Sequence, residues 1–173
     1  EGNDLFDSKI EPILINSSLL SAQSRQRLYW TNIPNVRQPE DLGIVLKDIL
    51  EDEVEKHYLA GKNLIENYQG GNQLNPNYKS QANTIHDKNK KSGAICAGTH
   101  GYANGYVETK PIKVGMNIEN LSWRKLTPLE VERLQTVPDN YTASVSDTQR
   151  YKMLGNGWTV GVIAHILTNM ETK

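Results

Sequence analysis

The sequence predicts an α+β protein in which two strands are followed by a loop-rich middle and then by helices. A short apolar run at residues 13–15 is typical of a buried strand. Residues 62–114 are rich in Asn, Gly, Gln and Lys, and turn dipeptides such as G-G and N-P indicate loops with short strands. From Leu126 onward, helix-start signals and helical spacing of apolar residues return.

The first segment, residues 1–60, is predicted to hold a strand pair and one helix. Ile13 to Ile15 forms the first strand, and Leu28 to Thr31, which has strong β propensity and ends before Pro34, forms the second. Apolar residues at helical spacing predict a helix from Val45 to Leu59, with most of its acidic side chains facing outward.

The middle segment, residues 61–122, is predicted to be a small, loop-rich unit that contains β structure. Short strands are expected around residues 84–86, 94–97 and 106–109, separated by turn signals such as D-K-N-K and A-N-G-Y.

The closing segment, residues 123–173, is predicted to begin with a well-capped helix. Thr127 is a good N-cap, Pro128 suits the first helical position, and Glu130 completes a capping box. Leu126 and Val131 are placed to form a hydrophobic staple. Pro138 restricts the residue before it, so the helix is expected to stop near Gln135.

Two further helices are expected after this one. The second is predicted from Ser146 to Leu154 and ends at Gly155, where glycine suits a helix C-terminus. The third runs from about Gly157 to Met170 and carries an apolar stripe formed by Val160, Ile163, Leu167 and Met170.

Charge is unevenly distributed over a chain whose formal net charge is −1. Residues 1–60 hold 6 basic and 11 acidic side chains, residues 61–126 hold 9 and 4, and residues 127–173 hold 4 and 5. A basic middle between acidic flanks suits a module whose centre faces phosphates. The alternative is that Lys88, Lys90 and Lys91 are solvated residues of a turn.

Bulk features exclude several classes of protein. The apolar runs are too short to span a bilayer, and the first residues lack signal-peptide features. Cys96 is the only cysteine, so an internal disulfide is excluded, and the four scattered histidines support no metal site. Because the chain lacks an initiator Met, we expect it to be a piece of a longer protein.

The string Q-S-R-Q-R at residues 23–27 places Gln23, Arg25 and Arg27 at alternate positions. In an extended strand, residues two apart face the same side, so the amide and both guanidinium groups are expected to project together. Such groups suit binding of phosphate or of the polar edge of a base. By itself, the string is also compatible with an exposed strand that carries surface arginines.

The string G-N-G-W-T-V is predicted to open a helix, with Gly155, Asn156 and Gly157 at its N-terminus. Free N–H groups at such an end favour anionic or carboxylate ligands, and glycines let a ligand approach the backbone closely. The alternative is a helix C-terminal glycine followed by an Asn-Gly turn. Trp158 is expected to be a core or lid residue.

Other candidate reactive residues have structural explanations. Glu130 is explained by the capping box and Glu132 has no catalytic partner in view, so their helix is interpreted as structural. Cys96 lies between small apolar residues and is expected to be a buried, inert thiol. The loop at residues 97–106 carries four side chains able to hydrogen-bond or stack, namely His100, Tyr102, Asn104 and Tyr106.

In their order and spacing, three strings resemble the last three conserved blocks of C5-cytosine DNA methyltransferases. They are Q-S-R-Q-R with L-Y-W-T-N-I-P, then R-K-L-T-P-L-E-V-E-R-L-Q, then G-N-G-W-T-V. The variable stretch between the first two falls where that family keeps its target-recognition domain. The resemblance implies that residues 1–60 end the catalytic domain, 61–122 form the recognition domain, and 123–173 close both domains.

The implied fold is the closing strands and C-terminal helices of a Rossmann-like domain that binds S-adenosylmethionine, plus a small target-recognition domain, with double-stranded DNA between the two. Arg27 is expected at the edge of a flipped cytosine, and Arg25 at a neighbouring acid or phosphate. Asn156, Gly157 and Trp158 are expected to touch the methionine part of the cofactor. The candidate DNA-binding residues are Gln23, Lys90, Lys91, His100, Tyr102 and Asn104.

Departures from the family pattern limit what the chain is expected to do alone. Gly157 stands where the family often has Ser or Ala, and Thr136-Val137 replaces a commoner Gly-Phe, which is interpreted as a packing difference. The family's F-x-G-x-G loop, Pro-Cys-Gln nucleophile and Glu-Asn-Val block do not occur in this sequence.

The sequence therefore predicts the C-terminal part of a methyltransferase that transfers no methyl group by itself. Its expected partner is the N-terminal half of the same enzyme, and its expected location is the cytoplasm of a bacterium, a phage setting or another intracellular compartment. The alternatives are a small subunit of a split methyltransferase, completed by a separate chain, and a non-catalytic DNA-binding module.

Overall fold

A computed structural model describes residues 10–61, 66, 68–75, 77, 79–98, 104–108 and 123–170, and the backbone of 112–114 and 117–119. The strands are β1 (Ile13–Asn16), β2 (Gln26–Tyr29), β3 (Ile85–His86), β4 (Tyr106–Glu108), β5 (Ile112–Val114), β6 (Asn117–Glu119) and β7 (Trp123–Lys125). The helices are α1 (Pro128–Leu134), α2 (Asp147–Asn156) and α3 (Val160–Leu167). These elements form a small α+β arrangement, which agrees with the predicted class.

The first sheet is the antiparallel pair β1–β2, in which Leu14 lies opposite Leu28 and Ile15 lies opposite Arg27. Alternation along the strands gives this pair two different faces. Ile15 is buried against Val162 and Ile166 of α3, whereas the cross-strand pair Leu14 and Leu28 is about half exposed on the other face. The predicted first strand is confirmed, and the second begins two residues earlier than expected.

A second sheet joins the middle of the chain to its end. β3 pairs with β4 in parallel, and β4 pairs with β7 antiparallel, with Val107 opposite Arg124. The predicted strands near residues 84–86 and 106–109 are therefore confirmed. The strand expected at 94–97 is not formed, because that segment is held by side chains rather than by a neighbouring strand. A third pair, β5–β6, is antiparallel.

The helix predicted from Val45 to Leu59 is wrong. The segment contains two short 3-10 turns, Leu46–Asp48 and Lys56–Tyr58, separated by irregular chain. Its apolar residues still enter the core, since Leu46, Ile49 and Tyr58 are buried in the main cluster. The backbone N–H groups of Leu46 and Lys47 donate to the carbonyls of residues 90 and 88, so tertiary hydrogen bonds replace helical ones.

Helix α1 has the predicted start. The Thr127 hydroxyl accepts from Glu130 N, and a Glu130 carboxylate oxygen accepts from Thr127 N at 2.8 Å, which closes the capping box. Leu126 and Val131 are both completely buried in one cluster, as a staple requires. The carboxylate of Glu130 also forms a buried bidentate pair with Arg124 at 2.6 and 2.7 Å.

Helix α1 ends where predicted, and the structure adds a second cause to the restriction by Pro138. Gln135 caps the helix, and Thr136 follows it with φ of 57°, a left-handed conformation. Thr136 N donates to Arg133 O and Val137 N donates to Glu132 O, the bonding pattern of a Schellman motif, whose left-handed position glycine usually occupies. The change from Gly-Phe to Thr136-Val137 is therefore a backbone difference as well as a packing one.

Helix α3 turns the predicted apolar stripe outward. Val162 and Ile166 pack on the β1–β2 hairpin, while Val160, Leu167 and Met170 of the stripe are about half exposed. The helix runs from Val160 to Leu167, so it is shorter at both ends than predicted. Within the parts of the chain that the structure describes, no helix is long and apolar enough to cross a membrane.

Candidate functional site

The Q-S-R-Q-R string divides into a buried and an exposed part. Gln23 is completely buried and Arg25 is 9 % exposed, and both side chains reach the backbone of Ile95. Arg27 is exposed, and its Nη1 donates to the carbonyl of Gln26 at 2.7 Å. The prediction that the three side chains project together is therefore wrong: Gln23 and Arg25 extend into the interior, and Arg27 lies at the surface.

The guanidinium of Arg25 binds three main-chain carbonyls. Its Nη1 donates to Ile95 O at 2.8 Å, and its Nη2 donates to Gly155 O at 3.2 Å and to Gly157 O at 3.3 Å. The last two carbonyls end helix α2, where partial negative charge favours a cation. Burial, and then the charge of Arg27, lower the pKa of the Arg25 guanidinium. The predicted role of Arg25 at an acid or phosphate stays a prediction.

Gln135 is the centre of a buried hydrogen-bond network. Its Nε2 donates to Leu154 O at 2.5 Å and to Gly157 O at 3.1 Å. Its Oε1 accepts from Gln23 Nε2 at 3.1 Å and from Thr159 Oγ1 at 3.0 Å. Because each amide atom has a partner, the side chain has one stable orientation.

The G-N-G turn lies at the C-terminal end of a helix, so the alternative interpretation of this string is the better one. Gly155 and Asn156 are the last residues of α2, and Gly157 is its C-cap, with its N–H donating to Met153 O and Leu154 O. The next helix, α3, starts three residues later.

The N-terminus of α3 offers no anion site at its first two N–H groups. Val160 N donates to Gln135 O at 2.9 Å, and Gly161 N donates to Thr136 Oγ1 at 2.6 Å. The end of α1 therefore caps the start of α3. The sequence predicts free N–H groups at a helix opened by the G-N-G string. The helix opens at Val160 instead, and the N–H groups of Val160 and Gly161 are already bonded.

An apolar cavity of about 320 Å³ lies beside the turn. Its lining includes Gln135, Val137, Tyr141, Met153, Trp158 and Val160. Trp158 is 67 % and Tyr141 70 % exposed, so both rings stand at the rim rather than in the core. The expectation that Trp158 is a core residue is wrong, whereas a position at the rim agrees with the lid alternative.

Gly155 allows two chain segments to touch. A Cβ built on this residue would lie 2.3 Å from the backbone of Cys96 and 2.3 Å from Ala97 N, so no larger residue fits. Cys96 itself is exposed, and its Sγ lies 3.6 Å from Ala94 O. The prediction of a buried thiol is wrong, because the neighbouring Ile95, not Cys96, turns into the core.

The predicted DNA-binding residues occupy different environments. Lys90 is exposed and lies 3.9 Å from an Asp87 carboxylate oxygen. Lys91 is partly buried and donates to carbonyls of Ser18 and Ser21, so its ammonium links segments of the chain. Asn104 is buried, and its Oδ1 accepts from Cys96 N at 2.8 Å. His100 and Tyr102 lie outside the described residues.

Gln135 and Ile95 were missed as site residues. Gln135 ends the R-K-L-T-P-L-E-V-E-R-L-Q string, whose helix is interpreted as structural, and its partners Gln23 and Thr159 are far from it in sequence. Glu132 is structural, as predicted, and accepts from Asn140 N, Thr142 and Arg150. Burial opposes its ionisation, but these hydrogen bonds outweigh burial and lower the pKa of Glu132. Within the described part of the chain, no cluster of side chains suits a metal ion.

Comparisons with known proteins match this chain over most of its length. The family model of the C-5 cytosine-specific DNA methylases covers residues 12–172. The Type II methyltransferase M.HhaI of Haemophilus parahaemolyticus is 30 % identical over 164 residues, which are 87 % of this chain and 49 % of that protein. The Type II methyltransferase M.NlaX of Neisseria lactamica is 30 % identical over 159 residues, 86 % of this chain and 48 % of that protein.

Solved structures share the fold. The mutant DNMT2 of Spodoptera frugiperda has a TM-score of 0.62 at 21 % identity, covering 92 % of this chain and 56 % of that one. The Entamoeba histolytica methyltransferase EhMeth has a TM-score of 0.63 at 18 % identity, covering 92 % and 52 %. The chain thus spans about half the length of its relatives. With its family-model match over residues 12–172, the chain belongs to the C-5 cytosine-specific DNA methylase family.

Proposed function

We propose that this chain is the C-terminal part of a DNA (cytosine-5-)-methyltransferase. The whole enzyme would transfer a methyl group from S-adenosylmethionine to C5 of a cytosine flipped out of a specific DNA sequence. The observation that carries this proposal is the contact of Arg25 with the carbonyls of Gly155 and Gly157, because it brings the first and last family strings together in one joint.

Arg27 is the residue that we assign to the flipped base. Its side chain is exposed, whereas the donors of Arg25 are engaged by carbonyls. A guanidinium presents several donors in a fixed plane, which suits the acceptor edge of a cytosine held outside the duplex. Arg27 would bind and orient this base rather than exchange a proton, since arginine stays charged at all working pH values.

The residues around the G-N-G turn fit one wall of a cofactor site. The neighbouring cavity of about 320 Å³ is lined mainly by apolar side chains, and Asn156 is exposed beside it. Bound S-adenosylmethionine supplies an electrophilic methyl group on its sulfonium. Trp158 and Val160 would cover apolar parts of the cofactor, and the Asn156 amide would bind polar ones. The backbone N–H and carbonyl of Gly157 are engaged within the chain, so Gly157 would shape the turn.

Two apolar surfaces support a partner that carries the rest of the enzyme. The outer face of the β1–β2 hairpin exposes Leu14 and Leu28, at 51 % and 49 %. The cavity rim exposes Tyr141, Met153 and Trp158. Sheets of Rossmann-like domains are covered on both faces, so an uncovered apolar face on a hairpin calls for a second layer. We assign the outer face of the hairpin to the N-terminal half that the relatives contain, and the cavity rim to the cofactor site that this half would complete.

The proposed DNA-facing part is the basic middle of the chain. Residues 61–126 have nine basic and four acidic side chains; of the basic ones, Arg124 and Lys125 are buried, whereas Lys90 is exposed on a turn. Contacts of this kind set affinity and register and carry no sequence preference of their own. His100 and Tyr102 remain candidates for base contacts.

A domain replacement tests the proposed function. The chain would replace the matched half of M.HhaI, and the chimera and the chain alone would be incubated with labelled S-adenosylmethionine and cytosine-containing DNA. We expect 5-methylcytosine only from the chimera. Methyl transfer by the chain alone would contradict its assigned dependence on an N-terminal half, and a folded chimera that transfers nothing to DNA would contradict the function.

Arg27 separates this proposal from a non-catalytic DNA-binding module. For a residue at the flipped base, Arg27→Ala lowers kcat of the chimera by at least about tenfold, the scale of one lost transition-state contact, with little change in DNA affinity. Arg37→Ala is the control, since Arg37 is also an exposed arginine in this segment. Two results together would favour the module: the chain alone binds DNA, and Arg27→Ala does not change turnover of the chimera.

A further inference from the structure

One residue of the middle segment is bound on both sides of its peptide backbone by the Q-S-R-Q-R string. Ile95 N donates to Gln23 Oε1 at 3.2 Å, and Ile95 O accepts from Arg25 Nη1 at 2.8 Å. Two side chains thus do for Ile95 what a neighbouring strand does in a sheet. Just before it, Ser92 forms a bridge to Gln23, with Ser24 N donating to Ser92 O at 2.8 Å.

The same two side chains bind the end of the chain. Arg25 Nη2 donates to the carbonyls of Gly155 and Gly157, which close helix α2. Gln23 Nε2 donates to Leu134 O at 2.7 Å and to Gln135 Oε1 at 3.1 Å, and Gln135 in turn donates to Gly157 O. We call Gln23 and Arg25 together the polar clamp. The polar clamp contacts residue 95 on one side and residues 134, 135, 155 and 157 on the other.

Direct packing adds a second link between these regions. The backbone of Cys96 and Ala97 lies against Gly155, where there is no space for a Cβ. A displacement of residues 95–97 would therefore push directly against α2, and the polar clamp holds the two surfaces together. In a buried and fully bonded joint, a shift on one side costs hydrogen bonds on the other.

We propose that Gln23 and Arg25 are positioning residues that couple residues 95–97 of the middle segment to the G-N-G turn. Placement of residues 95–97, which precede His100 and Tyr102 in the sequence, sets the geometry of residues 155–158. DNA binding and cofactor binding then favour one another. This coupling rests on the proposed function, whereas the mechanical link between the two segments does not.

Hydrogen exchange on the chain as it stands tests the mechanical link. Arg25→Lys keeps the charge, but a single ammonium cannot reproduce the fork that binds Ile95 and α2. We expect amide exchange to accelerate about tenfold or more, the factor for roughly one lost hydrogen bond, both at residues 95–97 and at 155–158. Arg37→Lys, outside the clamp, leaves both segments unchanged.

Acceleration at one segment alone, or at neither, would overturn the link. If Arg25→Lys does not fold, Gln23→Met provides the same test, because it keeps the side-chain volume and removes the bonds to Ile95 and Gln135. The two variants are expected to affect the same two segments.

Binding of S-adenosylhomocysteine to the chimera with M.HhaI tests the coupling. We expect DNA that the chimera methylates to tighten this binding by about fivefold or more. Arg25→Lys is expected to reduce this factor towards one, and Arg37→Lys to preserve it. A wild-type chimera that transfers methyl groups but shows no such factor, or a factor that Arg25→Lys leaves unchanged, would refute the coupling. A chimera that transfers none would instead count against the proposed function, with the exchange result unaffected.

Discussion

The joint between the β1–β2 hairpin and α2 is buried and polar, whereas the outer face of the hairpin is exposed and apolar. At the joint of the hairpin with α2, the amides and guanidinium of Gln23, Arg25 and Gln135 are buried and bonded to one another or to backbone. On the outer face of the hairpin, Leu14 and Leu28 are about half exposed. At this joint, the side-chain amides of Gln23 and Gln135 and the guanidinium of Arg25 have hydrogen-bond partners, whereas no apolar layer of the described residues packs on the outer face of the hairpin. The comparison shows that polar groups buried at the joint are bonded within the chain, whereas the apolar outer face of the hairpin remains exposed.

The strongest way to break the interior joint is Gly155→Ala. The new methyl group would lie 2.3 Å from backbone atoms of residues 96 and 97, which cannot rotate away. We expect the free energy of unfolding to fall by more than about 3 kcal/mol, at the upper end for overpacking, as measured by urea denaturation. Gly157→Ala is the control, because its nearest neighbour is at 3.3 Å, and equal losses for the two would contradict this account.

A second interior test is Glu132→Gln. The carboxylate is completely buried and binds Asn140 N, Thr142 and Arg150, so the change removes one partner of a buried ion pair. We expect a loss of about 3 kcal/mol in the free energy of unfolding. Glu53→Gln, on an exposed glutamate, serves as control and is expected to be neutral. If Glu132→Gln lowers the free energy of unfolding no more than Glu53→Gln does, within error, then solvent already reaches the site.

The same carboxylate gives a prediction for acid. Its folded-state pKa lies below its unfolded value, so the folded protein binds fewer protons there than the unfolded chain. The stabilisation is therefore present above the ordinary glutamate range and is lost as the pH falls through the folded pKa. Urea midpoints measured from about pH 7 down to pH 3 should fall more steeply for the wild type than for Glu132→Gln. Parallel curves would contradict the assignment.

Adjacent residues on β1 compare interior with exterior directly. Ile15 is buried against α3, and Leu14 points to the uncovered face. We expect Ile15→Ala to cost about 2–4 kcal/mol and Leu14→Ala less than about 1 kcal/mol in the chain alone. In the chimera with M.HhaI, the Leu14 effect should rise towards that of Ile15. A Leu14 effect that stays the same in both would remove the evidence that a partner covers this face.

The smallest expected effect concerns Thr136, where backbone strain and a side-chain cap oppose each other. Thr136→Ala keeps the left-handed backbone and loses the hydroxyl that accepts from Gly161 N, whereas Thr136→Gly loses the hydroxyl and relieves the strain. Thermal unfolding should therefore show the Ala variant less stable than the Gly variant by about 1 kcal/mol. The reverse order would show that the residue is not strained.

Local signals were the reliable part of the prediction. The capping box from Thr127 to Glu130 and the strand at Ile13 are confirmed, since their causes lie within a few residues of sequence. The Val45–Leu59 helix failed because the N–H groups of Leu46 and Lys47 have tertiary acceptors. The apolar stripe of α3 was correctly seen as apolar, but which side of that helix is covered depends on the hairpin beneath it.

The candidate site shows the same division. The Q-S-R-Q-R and G-N-G-W-T-V strings do meet, but through buried side chains: Arg25 donates to the carbonyl of Gly155 and Gln23 donates to the hydroxyl of Thr159. Sequence spacing does not predict that residue 25 contacts residue 95. Nor does it predict that the backbone of residue 96 lies so close to residue 155 that a Cβ has no room there. Gln135 was missed for this reason, because its partners are set by packing.

The sequence by itself determined the family, the position of the capped helix and the identity of the polar and apolar residues, because these depend on residue type and on short spacing. The tertiary structure decided which of them are inside. It buried Gln23 and Arg25, turned Leu14, Leu28 and Trp158 outward, and used the end of α1 to cap α3. Burial depends on which surfaces meet after folding, and the residues that meet here are far apart in sequence, such as Gln23 and Ile95, which are 72 positions apart.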